Sequence, residues 1–113
     1  MVLGDRFGAS CAGSLVASAF ATLAHARVPA AHNRPYAGGY GVERHGAPGR
    51  GVHALQVEID RSCYLDSRLL EPGDGLEAVV AMLVDMVRRL AGEVALLGAG
   101  AGDGAGVWSQ AAE

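Results

Sequence analysis

The chain has 113 residues, half of them hydrophobic (50%) but only 5% aromatic, which fits one small domain and excludes a second. Its 17 glycines leave few large side chains, so the expected core is thin. Nine Lys+Arg, all of them arginine, against 12 Asp+Glu give a net charge of −3, which argues against a nucleic-acid binder, whose contacts need a basic face.

Residues 1–3 read as the end of a strand, and 4–10 as a glycine-bounded loop. From Ser14, an available N-cap, the apolar positions Leu15, Val16, Ala19, Phe20 and Leu23 recur at helical spacing, with Pro29 beyond the end. A short strand is expected within 28–33, confined by Pro29 to an edge or a strand start. Two prolines and six glycines make 34–51 a long loop, and a loop of that length inside a small domain is usually functional. The clearest strand covers 52–60, with Leu55, Val57 and Ile59 on one face and Gln56, Glu58 and Asp60 on the other. After an irregular stretch at 61–73, Asp74 and Glu77 form a capping-box-like start. The helix that follows carries Leu76, Val79, Val80, Leu83, Val84, Val87 and Leu90 as its apolar face. The ordered domain is expected over 1–97, and 98–113, rich in glycine and alanine, as a disordered tail.

This order defines an α/β class with an incomplete sheet flanked by helices. Cys11 and Cys63 lack metal or redox spacing and read as buried free thiols. The apolar run at 15–26 has helical spacing with Ser18 and Thr22 interleaved and no preceding excess of positive charge, so it is read as a helix and not as a signal peptide. No stretch reaches the length of a membrane span. A cytoplasmic location is the resulting expectation, with neither nucleic acid nor membrane as partner.

Among polar residues, Glu58 stands out because it lies late in a core-like strand, with Gln56 beside it on the same face, and ligands in open α/β sheets gather at strand carboxyl ends. It acts either as a general base or metal ligand, or pairs with an arginine such as Arg61 or Arg44. The segment Asn33-Arg34-Pro35-Tyr36-Ala37-Gly38-Gly39-Tyr40 combines a stiff proline with two glycines that let backbone approach a ligand. Taken alone, it is a weak motif and reads first as a plain turn. His53 reads as a core residue, His25 and His32 as surface residues, and none of the histidines has paired-metal spacing.

Three segments taken together resemble the N-formylglutamate amidohydrolase (formylglutamate deformylase) family. They are Leu3-Gly4-Asp5-Arg6-Phe7-Gly8-Ala9-Ser10-Cys11, the Asn33 to Tyr40 segment, and Val52-His53-Ala54-Leu55-Gln56-Val57-Glu58-Ile59 with Arg61 and Tyr64. The resemblance implies a mixed-sheet fragment of a zinc carboxypeptidase-like fold and hydrolysis of N-formyl-L-glutamate to formate and L-glutamate. It further implies zinc as cofactor, Glu58 as the carboxylate that moves the proton of the attacking water, and a substrate-binding set of Asn33, Tyr36, Gly38, Gly39 and Arg44. The zinc ligands of the family precede the point that matches Val2. The chain is therefore expected to be a carboxyl-terminal portion with no metal ligands of its own and little activity alone. Departures from the family pattern are Val42-Glu43 where it has Thr-Arg, His45 where it has Tyr, and Asp60 where many members have Asn. The expected ligand is an N-formyl amino acid. The competing reading is a non-catalytic module that associates, with itself or with a missing amino-terminal half, through an open sheet edge.

Overall fold

The computed structural model describes residues 1–100. Strand β1 (Val2–Gly4), helix α1 (Gly13–His25), strand β2 (Ala31–His32), helix α2 (Tyr40–His45), strand β3 (Gln56–Glu58) and helix α3 (Leu76–Gly100) follow in chain order. The sheet is mixed and three-stranded, in the order β2-β1-β3. Strand β1 pairs parallel with β2 and antiparallel with β3, matching Val2 to Ala31 and Glu58, Leu3 to His32 and Val57, and Gly4 to Gln56. The mixed α/β expectation is met, and the strand expected within 28–33 is an edge strand, as Pro29 requires.

Leu3, Ala19, Leu23, Met82 and Met86 form the core, with Val57, Leu55, Phe20 and Leu90 packed around them. A second cluster of Cys11, Leu15 and Val16 continues it between α1 and the later turns of α3, where Leu90 and Val94 close over it. Both long helices therefore cover one face of the sheet, the one carrying Leu3 and Val57.

Several local expectations are corrected. Helix α1 starts at Gly13 with Ala12 as its N-cap residue, so Ser14 caps nothing. The Ala12 N–H instead donates to His53 Nδ1 at 3.0 Å, a partner 41 residues away. At its other end Arg27 takes a left-handed φ of 58°, with Arg27 N–H donating to Ala24 O and Val28 N–H to Leu23 O. This is a Schellman turn, with an arginine where glycine is usual.

The long loop at 34–51 contains α2 and a 3-10 turn at Pro48–Arg50. The strand expected over 52–60 shortens to Gln56–Glu58, because Val52 bridges back to Ala47 instead of continuing the ladder. Helix α3 begins at Leu76, where the carbonyls of Gly73 and Gly75, not Asp74, receive its first N–H groups. Its buried face is centred on Met82 and Met86, whereas Val80, Val84 and Val87 are 50%, 42% and 66% exposed. A helix apolar on most of its circumference gives periodicity too little contrast to fix which stripe is buried. The expected tail from residue 98 overlaps the end of α3, and 101–113 lie outside the described residues.

Cys11 is buried and Cys63 exposed, so only one thiol meets the buried expectation. Burial, reinforced by the Asp5 charge, pushes the Cys11 thiol up to about 11, which keeps it protonated and inert near neutral pH. No helix among the described residues is long and apolar enough to cross a membrane.

Candidate active site

Side chains alternate along a strand and cross-strand partners share a face. Leu3 and Val57 point into the core, so Gly4, Gln56 and Glu58 occupy the face opposite α1 and α3. Over it runs the backbone of the double-glycine loop. A Cβ on Gly4 would lie 2.7 Å from the Ala37 carbonyl carbon, so glycine is what allows the loop to rest on the strand.

The loop is fastened at both flanks. Arg6 N–H donates to Ala37 O at 2.8 Å, and Arg6 Nη1 donates to Gly38 O at 3.4 Å. The Gly39 N–H donates to Gln56 Oε1 at 3.0 Å, and Gln56 Nε2 donates to Glu58 Oε1 at 2.8 Å. Gly38 C=O and Gly39 N–H belong to one peptide unit and point opposite ways when that unit is trans. A single peptide thus links Arg6 on one side to the Gln56–Glu58 pair on the other.

Glu58 is exposed. Among the described residues the ion pairs are His32–Asp5, Arg68–Asp66 and Arg89–Asp85, so Glu58 has neither Arg61 nor Arg44 as partner. Its position corrects one expectation. Strand β3 runs antiparallel to β1, so its carboxyl end lies opposite the carboxyl ends of β1 and β2. Gln56, not Glu58, stands beside the end from which Asp5 and Asn33 emerge.

At that end a second polar group forms, which sequence reasoning missed. Asp5 is buried at 3% exposure. Its Oδ1 accepts from Asn33 Nδ2 at 2.7 Å and lies 2.9 Å from His32 Nε2, and its backbone N–H donates to Asn33 Oδ1 at 2.9 Å. Burial by itself would raise the Asp5 pKa. The bonds from Asn33, the Gly8 backbone and His32, with the His32 charge, outweigh it and hold the carboxyl below its ordinary value. His32 is exposed, as expected; its ring lies 2.9 Å from the buried Asp5 carboxylate and meets Phe20 edge-on at 5.4 Å between ring centres. Asn33 takes φ 63°, a left-handed conformation that asparagine tolerates.

Of the expected substrate-binding residues, the structure brings Gly38 and Gly39 to the Gln56–Glu58 pair. Asn33 is committed to Asp5. Tyr36 and Arg44 are exposed, Arg44 on α2, and neither joins the hydrogen-bonded group around Glu58. A surface cavity of about 160 Å³ lies on the other flank of the loop, lined by Arg6, Ala9, Ser10, Val42, Glu43 and Gly46. No sequence signal joined Arg6 to α2, since their proximity depends on the loop crossing β1. Among the described residues no group of three or more His, Cys, Asp or Glu side chains could hold a metal ion, so these residues do not fit a zinc site by themselves.

The fold resembles the crystal structure of N-formylglutamate amidohydrolase from Ralstonia eutropha JMP134, with a TM-score of 0.76 and 31% sequence identity over 82% of this chain and 33% of that one. The neighbour belongs to the hydrolases that cleave amides, and the present chain spans about a third of its length. Residues 1–65 match the family described as N-formylglutamate amidohydrolase. The chain belongs to that family. A search of curated proteins returned no match.

Proposed function

We propose that this chain supplies the general-base portion of an amidohydrolase that cleaves the formamide bond of N-formyl-L-glutamate. Water adds to the formyl carbon and the C–N bond breaks, giving formate and L-glutamate. Glu58 accepts the proton of the attacking water and returns it to the departing amine. Gln56 orients that carboxylate, and the loop from Asn33 to Gly39 forms the adjoining substrate wall. One observation carries this reading: the continuous bond path from Gly39 through Gln56 to Glu58, on the face opposite α1 and α3, ending in a carboxylate with no arginine partner among the described residues.

The family resemblance supports zinc as the cofactor and a zinc carboxypeptidase-like architecture for the whole protein. On this reading the zinc ligands belong to parts of the family outside the third matched here, the activity is cytoplasmic, and residues 1–97 form the carboxyl-terminal part of the amidohydrolase-like domain. The isolated chain is then expected to release little formate from N-formyl-L-glutamate even with zinc added. A chimera in which this chain replaces the matching 33% of the Ralstonia eutropha protein tests the reading directly. Formate release by the chimera supports it, and a folded, zinc-loaded chimera without turnover contradicts it.

A second reading, association through an exposed surface, is favoured by the valines of α3 left uncovered at positions 80, 84 and 87. Sedimentation separates this reading from the first: a compact monomer at high concentration rules out self-association.

A further inference from the structure

We propose that Arg6, not Arg44, is the carboxylate-binding arginine of this site, and that the cavity between the β1 loop and α2 receives the carboxylate end of an amino acid or N-acyl amino acid. The inference rests on the amidohydrolase reading for its ligand class but on separate residues for its geometry.

A guanidinium carries five N–H donors in a rigid fork suited to carboxylates. Arg6 uses one of them, in the 3.4 Å bond to Gly38 O, and pairs with no carboxylate among the described residues. The side chain is half-buried and lines the cavity with Ser10, Val42, Glu43 and Gly46. Arg44 is exposed on α2 and is absent from the cavity wall.

The backbone that presents Arg6 is unusual and tightly held. Arg6, Phe7 and Gly8 take consecutive left-handed φ values of 52°, 54° and 89°, conformations that persist in non-glycine residues only where the surroundings enforce them. Enforcement comes from Ser10 N–H to Asp5 O and Ala9 N–H to Arg6 O. Ser10 is itself bound to Ala54 through its hydroxyl at 2.8 Å and through its own carbonyl. The opposite wall is set equally closely: a Cβ on Gly46 would stand 2.5 Å from Ser10 Cβ, and one on Gly38 2.4 Å from Val42 Cγ2.

Glu43 adds selectivity. It lines the same cavity, and its negative charge there opposes a multiply charged inorganic anion and favours a ligand that carries an N–H donor or ammonium beside its carboxylate. A ligand held by Arg6 also bears on the Gly38–Gly39 peptide, whose other side fastens Gln56 and through it Glu58.

The test is an amide-shift titration of the isotope-labelled full chain with N-formyl-L-glutamate, L-glutamate and inorganic phosphate. Saturable shifts centred on Arg6, Ser10 and Gly46 with the two amino-acid ligands, and weaker ones with phosphate, are expected. Arg6→Gln weakens binding by about tenfold or more, Arg6→Lys by less, and Arg44→Gln leaves it unchanged. Shifts centred on Tyr36 and Arg44, phosphate binding as tight as the amino acids, or a folded Arg6→Gln chain with unchanged affinity would overturn the inference. The shift map of the unaltered chain decides the matter even where a variant unfolds. An active chimera whose KM ignores Arg6→Gln removes this inference alone, whereas ligand binding at Arg6 with no turnover in the chimera removes only the hydrolase reading.

Discussion

Asn33 and Asp5 hold each other at two points, the Asn33 amide nitrogen on the Asp5 carboxylate at 2.7 Å and the Asp5 backbone N–H on the Asn33 amide oxygen at 2.9 Å. The pair joins the ends of two parallel strands and fixes where the following loops begin. Asn33→Gly keeps the left-handed backbone but removes both bonds. It is expected to cost about 1–3 kcal/mol in urea unfolding, because a buried carboxylate and a buried N–H each lose a partner. Unchanged stability would show that the pair is incidental.

The same carboxylate gives the chain an acid-sensitive term. Its folded pKa lies below the unfolded value of roughly 3.9, so the stability it contributes is present above that value and is lost as pH falls through the folded one. Asp60, held down chiefly by the Ser62 backbone N–H, and Asp66, held down chiefly by that of Leu70, shift in the same sense. Comparison with Asp5→Asn therefore isolates the buried group: the variant's unfolding free energy should depend less on pH below about 4 than that of the parent chain.

His53 supplies a second titration of opposite chemical type. Its Nδ1 accepts the Ala12 N–H at the start of α1, which requires the neutral ring, and burial lowers its pKa. The unfolded chain therefore binds the proton more readily. The contribution of His53 is complete above the unfolded value of about 6.5 and declines as pH falls toward the folded one. His53→Ala should cost about 1 kcal/mol at neutral pH, the scale of a lost helix cap, and should remove that part of the pH dependence in the same unfolding measurement.

Much of the framework could be read from residue patterns, and the reason some of it could not is physical. Alternation through Leu55, Val57 and Ile59 exposed β3, and the helical spacing of Leu15, Ala19 and Leu23 exposed α1. The group around Asp5 was hidden because its members, 27 and 28 residues apart, meet only through the parallel pairing of β1 with β2. Ser14 is the local cap candidate of α1, whereas the acceptor at its start, His53, arrives from a distant segment. Glycines around Tyr40–His45 masked α2, whose place is set by one buried side chain, Val42. In the site itself Glu58 and the double glycine were visible as types, whereas the role of Arg6 depends on a loop crossing that no local pattern encodes.

Arg27 terminates α1 in a conformation that suits glycine, with φ 58°. Arg27→Gly relieves the left-handed penalty of about 1–2 kcal/mol but increases the freedom of the unfolded chain by somewhat less. A modest net gain, up to about 1 kcal/mol, is expected in thermal or urea unfolding. A loss of stability would mean that the arginine side chain contributes more than the turn geometry accounts for.

Gly4→Ala probes the seat of the substrate loop. The added carbon would press on the carbonyl of Ala37 at 2.7 Å and on Gly38 N at 2.9 Å, and neither can move without displacing the double glycine. A cost of about 1–3 kcal/mol is expected, together with loss of protection of the Gly39 amide in hydrogen exchange. Retained protection would show that the loop is not held by its contact with β1.

Steady-state kinetics of Glu58→Gln in the Ralstonia chimera test the central claim most directly. The substitution keeps the size and a hydrogen-bonding partner for Gln56 but removes the proton acceptor. A fall in kcat of about 10²–10⁴-fold with KM little changed is expected for a lost general base. Formate release at the parent rate from a folded Glu58→Gln chimera would contradict the account.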